Sequence, residues 1–498
     1  MSTTIDDLAV RSRLGRRVLR LLLIAGASLA VLLLALWAVL RVALLPQTGE
    51  WATTLGRGPL AVRASLPQLV WLATTPWVGE RLDGLTLPSR LGPLRLGWVP
   101  AGVEGDAPVL TVHCEPCTLP LPPALGQPTL RVPAAQLAIS RDGMQHLKGA
   151  LLLGAEGPDE GLRQAQPERE TDRSRRTVIS ARWQARRAGP GWQATVDWPA
   201  TPARDWLALL APGLPELAAA HVEGSVALHA DVTLPPPAQG QGWRLVPRIE
   251  GLAVSGLGTE SWARAQTSCG RTPPLPARHW LTRAVLATED QRFYEHTGYD
   301  PEELAAALQA NRQAGAIRRG GSTLSQQLAK LMVAGGERQL ERKLRELLYA
   351  LDAEQSLGKG RILQLYLANA PWGVDAQGRL VCGAEAAARH YFGTGARRLT
   401  PRQAVTLAAM LHNPPLEAAR WQARGSVDPA RLRWVAGQVR GVPARQRRAL
   451  VAQLEEEATQ QEADTALARA EPAQAAASAS EPERAPPALL ASQDARLR

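Results

Sequence analysis

The chain has 498 residues, enough for two or three domains and more than one buried core, which excludes a single small module. Its net charge of +11 comes almost wholly from arginine, because the only lysines are Lys148, Lys330, Lys343 and Lys359. An apolar N-terminal segment is expected to separate most of these arginines from the cytoplasm, so no nucleic acid partner is expected and anionic lipid headgroups lie nearer.

Residues 1–20 form a basic N-terminus carrying Arg11, Arg13, Arg16, Arg17 and Arg20, and residues 21–40 carry no charge. A run of about 20 apolar residues is what an α-helix needs to cross the hydrocarbon core. The arginines precede the run and only Arg41 directly follows it, so the positive-inside bias predicts a cytoplasmic N-terminus, a single N-terminal transmembrane helix and an exported remainder. The run exceeds the apolar core of a cleaved signal peptide.

Between residues 51 and 260, proline and glycine punctuate short runs of partial alternation, at 177–184, 191–198 and 221–232, which predict a β-rich region. Residues 156–176 are charged and poor in apolar side chains, and read as a solvated loop. His113, His146, His221 and His229 are scattered through this region and form no catalytic constellation. In an oxidising compartment the four cysteines are expected to pair rather than bind metal. Cys114 and Cys117 suit a local disulfide and leave Cys269 with Cys382, although the sequence leaves the pairing open.

Composition shifts near residue 270. Both phenylalanines and all five tyrosines lie between Phe293 and Phe392, whereas most of the fifteen tryptophans come earlier. That shift predicts a domain boundary, with a second domain over residues 270–420. Helix starts follow: Asp300 precedes Pro301 and Glu303, and Thr400 precedes Pro401 and Gln403, each an N-cap with proline at N1 and an acid or amide at N3. Residues 421–455 are expected to extend this domain helically, and the low-complexity stretch 456–498 has little to bury.

Three polar strings carry the chemistry. Glu289 and Asp290, with Phe293 and His296, set carboxylates beside aromatic groups, a setting that raises a Glu pKa and suits a general base; His296 is the alternative base. Gly320 and Gly321 precede Ser322, Thr323, Gln326, Gln327 and Lys330, so a flexible pair leads into a helix start where free N–H groups favour an anion such as a diphosphate. Leu340, Leu344, Leu347, Leu348 and Leu351 share one helical stripe, leaving Arg338, Arg342, Arg345 and Glu346 on the other face. Taken alone, that face is a solvated one with i,i+4 pairing of Arg342 and Glu346.

Together these strings resemble the peptidoglycan glycosyltransferases of glycosyltransferase family 51, over roughly residues 276–415. The family's first motif is matched by Glu289, Asp290, Phe293, His296 and Gly298, its second by residues 320–330, and its third by Arg342, Lys343 and Glu346. The resemblance implies a mainly α, lysozyme-like glycosyltransferase domain on the extracytoplasmic side of a bacterial inner membrane. It implies polymerisation of lipid II onto a growing glycan strand, with inversion and release of undecaprenyl pyrophosphate. By motif position, Glu289 would activate the acceptor hydroxyl, and Glu346 would support the leaving side with a divalent cation, Mg²⁺ or Mn²⁺. Lys330 and Arg338 would grip the pyrophosphate, while Ser322, Gln326, Gln327, Arg342 and Lys343 would line the donor cleft.

The sequence departs from the family at Ala368 and Leu331, where asparagine is usual, and at Gln403, where glutamate is common. No penicillin-binding transpeptidase signature follows, so a monofunctional enzyme is expected, with residues 51–260 available to other cell-wall synthesis proteins. Two readings compete: a glycan-cleaving lysozyme-like enzyme, and an inactive scaffold motivated by Ala368 and Leu331.

Overall fold

The structure is a computed structural model that describes residues 23–39, 42, 44–46, 50–55, 62–102, 107–121, 129–143, 145–154, 178–235, 242–264, 269–314, 320–333 and 339–460. The expected loop at 156–176 and Arg338 lie outside these residues. Residues 23–39 are helical with exposed apolar side chains. Among the described residues no helix is long and apolar enough to cross a membrane; residues 21, 22 and 40 of the expected span lie outside them.

The chain divides into two compact units. One comprises the residues up to 259 with 298–322 and 333–356; the other comprises 260–297, 323–332 and the residues from 357 onward. Residues 298–322 and 333–356, which follow the expected boundary near residue 270, group with the β-rich region in this division.

The first unit is organised on a nine-stranded sheet: β1 (Thr86–Ser89), β2 (Gly92–Val99), β3 (Val109–Cys114), β4 (Ala135–Arg141), β5 (His146–Leu153), β6 (Ile179–Ala188), β7 (Gly191–Pro202), β8 (His221–Leu234) and β9 (Trp243–Ser255). Each strand pairs antiparallel with its neighbours in this order, so the sheet is a meander. A hairpin of Cys117–Pro120 and Thr129–Val132 interrupts it between β3 and β4, and a disulfide joins Cys114 to Cys117.

Side chains alternate across a strand, and β6 shows the result. Ile179, Ala181, Trp183 and Ala185 face one side and are buried or half-buried, while Ser180, Arg182, Gln184 and Arg186 are exposed on the other. Register carries the pattern sideways, with Ile179 opposite Leu153 and Ala181 opposite Leu151.

Two short helices, α1 (Ala203–Leu210) and α2 (Glu216–Ala219), follow β7. Leu209 and Leu210 of α1 pack with Leu153 and Ile179, and Trp206 donates its indole N–H to the Val226 carbonyl at 3.2 Å. Next in chain order come α3 (Trp280–Glu289) in the second unit, α4 (Pro301–Ala314) in the first, α5 (Leu324–Met332) in the second and α6 (Gln339–Ser356) in the first.

The leucine stripe of α6 explains its place. Leu344, Leu347, Leu348 and Leu351 pack with Leu207, Leu214, Leu252 and Val254, and Leu340 packs against the cluster around Ile179. Burying one such leucine stabilises by about 1.5–3 kcal/mol. Gly298, at φ +80°, lets the chain pass α6, where a Cβ would lie 3.2 Å from the Leu351 amide nitrogen.

The second unit is mainly helical. Besides α3 and α5 it contains α7 (Gly358–Asn369), α8 (Pro401–Met410) and α9 (Pro429–Gln438), and residues 444–460 are also helical. Leu281, Val285, Leu328, Ile362, Leu407, Met410 and Val435 are buried, and Trp372 donates to the Leu407 carbonyl at 2.8 Å. Thr400 and Gln403 form a reciprocal capping box at the start of α8. A disulfide joins Cys269 to Cys382. Residues 456–460 of the expected tail still belong to the last helix, and 461–498 lie outside the described residues.

Candidate active site

In the helical unit, Glu289 is the last residue of α3. Its Oε2 accepts a hydrogen bond from Gln327 Nε2 at 3.1 Å, and Gln327 Oε1 accepts from the Tyr366 hydroxyl at 3.0 Å. This relay runs from α7 through α5 to the carboxylate and fixes its orientation. Glu289 keeps part of its surface open while protein atoms crowd it closely.

That crowding raises the Glu289 pKa above the ordinary glutamate value, because burial disfavours the charged form. Hydrogen bonds from Gln327 and Thr288 and the charges of Arg431 and His412 oppose the rise without cancelling it. Burial likewise lowers the pKa of Arg431, while Glu289, Glu417 and Asp428 act to raise it. A carboxylate held this way can take a proton from a hydroxyl at a pH where an exposed one is a poor base.

Asp290, Phe293 and His296 play a different part from the expected one. All three are buried, so they frame the site instead of lining it. Asp290 Oδ1 and Oδ2 lie 3.0 and 3.1 Å from His296 Nε2, and Oδ2 also accepts from the backbone N–H of Leu324 at 2.9 Å. With its Nε2 on Asp290 and the ring enclosed, His296 is poorly placed to serve as the base. Phe293 packs edge-on against Tyr294 and His296, with Lys359 Nζ 4.3 Å from its ring centroid.

The start of α5 also departs from expectation. Gln326 N–H donates to Thr323 Oγ1 at 3.3 Å, and Thr323 N–H donates to Gln326 Oε1 at 3.0 Å, a capping box. With Leu324 N–H on Asp290, donors expected to meet a diphosphate are already engaged by the protein. Thr323 and Gln326 therefore build the helix end. Lys330, near the other end of α5, is exposed.

In the sheet unit, α6 presents the third string. Lys343 Nζ lies 2.6 Å from Glu346 Oε2 and donates to Ser322 Oγ at 2.9 Å, and Arg342 Nε lies 3.5 Å from Glu346 Oε1. The i,i+4 pair exists, but Glu346 has a side chain only 5% exposed, so the solvated-face reading fails. Lys343 remains half exposed while bonded to both Glu346 and Ser322. Among the described residues no three His, Cys, Asp or Glu side chains cluster to hold a metal.

The sequence that carries these elements is similar to that of known proteins. Residues 265–439 match the transglycosylase family. Proteins similar to this chain include the biosynthetic peptidoglycan transglycosylase of Alcanivorax borkumensis, 45% identical over 162 residues, which is 32% of this chain and 62% of that one. The protein of the same name from Nitrosomonas eutropha is 43% identical over 152 residues, 30% of this chain and 60% of that one. The one from Bordetella avium is 48% identical over 159 residues, 31% of this chain and 64% of that one. The chain thus spans less than two thirds of the length of these relatives.

Two residues near Glu289 carry no signal in the sequence. Tyr366 is fully enclosed, with a pKa raised well above normal by burial, and it orients Gln327. Arg431 comes from α9, beyond the segment that carries the motif resemblance. Of the departures, Ala368 lines a cleft of about 680 Å³ with Arg264, Arg271 and Arg361, the neighbouring Asn369 donates to the Leu365 carbonyl at 2.7 Å, and Leu331 is exposed.

Proposed function

We propose that this protein polymerises lipid II into peptidoglycan glycan strands by inverting glycosyl transfer. Glu289 carries the reading: a crowded carboxylate, oriented by Gln327 and raised in pKa, at the position where the resembling family has its base. In this reading Glu289 takes the proton from the 4-hydroxyl of the acceptor sugar as that oxygen attacks the anomeric carbon of the lipid-linked donor. The glycosidic bond to the diphosphate breaks with inversion, and undecaprenyl pyrophosphate leaves.

Lys330, Arg338, Arg342 and Lys343 supply the positive charge that a diphosphate leaving group requires. A neutral polysaccharide leaving group has no such requirement, which disfavours the glycan-cleaving alternative. Glu346 is ion-paired on α6 and offers one carboxylate. A divalent cation would therefore be held jointly by Glu346 and substrate phosphate oxygens, the manner in which Mg²⁺ commonly binds. Residues 21–40 anchor the chain in the inner membrane in this proposal, supported by their length, lack of charge and the preceding arginines. The catalytic domain then faces the periplasm.

The test supplies detergent-solubilised full-length protein with labelled lipid II and, separately, with purified sacculi. Glycan polymer with equivalent release of undecaprenyl pyrophosphate is the expected result. Muropeptides from sacculi without polymer would establish cleavage instead, and binding without turnover would establish a scaffold.

A further inference from the structure

The sheet unit buries a carboxylate against the back of α6. Glu216 lies in α2, and its Oε1 is 2.7 Å from Arg345 Nε, with the two side chains only 9% and 12% exposed. Glu216 Oε2 is buried and has no hydrogen-bond partner among the described residues. Arg345 sits between Lys343 and Glu346 in sequence, and its ion pair with Glu216 ties α6 to α2. Tyr349, one turn further along α6, feels the same carboxylate, since after burial the charge of Glu216 is the next cause raising its pKa.

A second clasp holds the far end of α6. Asp352 accepts from the backbone N–H groups of Leu257 and Thr259, both at 3.2 Å, and from the Thr259 hydroxyl. Thr259 Oγ1 also lies 2.6 Å from Ser356 Oγ. The residues at this clasp directly follow β9. On the α2 side, Arg204 of α1 donates to the carbonyls of Leu217 and Ala220 at 2.9 and 3.0 Å, tying α2 to α1.

An ion pair enclosed this way is a costly route to stability, since burying both charges offsets most of their attraction. Its distinctive property is geometry. A leucine stripe lets a helix slide or rotate over a greasy surface with little change in area, whereas a guanidinium fixed on a buried carboxylate sets one rotation and one register. Lys343 and Glu346 flank Arg345, so that rotation decides where they point.

We propose that Glu216 is a positioning residue for the transferase. Through Arg345 it fixes the rotation of α6 and thereby the placement of Lys343 and Glu346 on the leaving-group side. The sheet unit then acts as a structural part of the catalytic machinery, not only as a platform for other proteins. This inference rests on the glycosyltransferase reading for its catalytic consequence, and its structural half stands without it.

The experiment is a double-mutant cycle on full-length protein. Initial polymerisation rates at saturating lipid II are compared for wild type, Glu216→Gln, Lys343→Ala and the double variant, with the folded fraction of each checked by thermal melting. The expected result is a loss of about tenfold for Glu216→Gln in the wild-type background, since misplacing a group by about 1 Å can cost up to about a hundredfold. In the Lys343→Ala background the same substitution is expected to cost less than about twofold, because coupled groups are non-additive.

Equal losses in both backgrounds, or no loss in either, would overturn the proposal. A structural role alone would lower folded fraction and melting temperature by the same amount in both. Amide exchange over residues 340–349 separates this inference from the functional reading. Faster exchange there in Glu216→Gln, with the rest of the chain unchanged, is expected whether or not wild type polymerises lipid II. Unchanged exchange would overturn the positioning role. Absence of polymer from wild type would overturn the glycosyltransferase reading alone.

Discussion

In the helical unit Glu289 is held by neutral donors, Gln327 and behind it Tyr366, while in the sheet unit Glu346 is clamped by the charges of Lys343 and Arg342. Both are crowded by protein, yet their chemistry differs. A carboxylate surrounded by amide and phenol keeps a high affinity for protons and can cycle between its two forms. One ion-paired to an ammonium at 2.6 Å is held in place by that cation and orients it in turn. Under the proposed reaction, proton transfer falls to the first and charge placement to the second.

The sharpest way to break that contrast is to neutralise each carboxylate or its partner. Glu289→Gln is expected to reduce lipid II polymerisation by about 10²–10⁴-fold, the usual range for losing a general base. A loss below about tenfold would remove Glu289 from that role. Lys343→Ala is expected to cost about 10–10²-fold, the scale of losing charge-assisted contacts worth about 1.5–3 kcal/mol. Its pH profile should keep the wild-type shape, since the substitution leaves Glu289 and its Gln327 hydrogen bond in place.

A subtler test changes the relay. The Gln327 hydrogen bond lowers the Glu289 pKa against the rise from burial. Gln327→Leu should therefore raise that pKa further and move the acid limb of the rate profile to higher pH, with a few-fold loss at neutral pH. A limb that stays in place would show that Gln327 does not tune the base.

The smallest effect concerns stability. Because the folded-state pKa of Glu289 is raised, its contribution is fully present below the unfolded-state value and lost as pH rises through the folded-state value. Glu289→Gln should melt a few degrees above wild type at neutral pH and together with it near pH 4, read by scanning calorimetry. A variant less stable at both pH values would mean that the carboxylate is not strained.

Much of this arrangement is written locally in the chain. The alternation from Ile179 to Arg186 specifies a strand with one apolar face, and the leucines of α6 specify a buried stripe. Thr400 and Gln403 announce a capping box three residues apart. What could not be read depends on partners distant in sequence. Asp290 closing the start of α5, Arg431 approaching Glu289 from α9 and Glu216 holding Arg345 each join segments whose spacing carries no periodic signal. The division of the transglycosylase stretch between two units had the same origin: the α6 stripe foretold burial, but nothing in it named β9 and α1 as the cover.

The most direct measurement is the rate of labelled lipid II polymerisation as a function of pH for wild type and Glu289→Gln. Polymer from wild type is expected, with an acid limb above the ordinary glutamate value of about 4.3, and the variant should be nearly inactive at every pH. A variant that polymerises with the wild-type profile would contradict the assignment of Glu289 as the base and the account built on it.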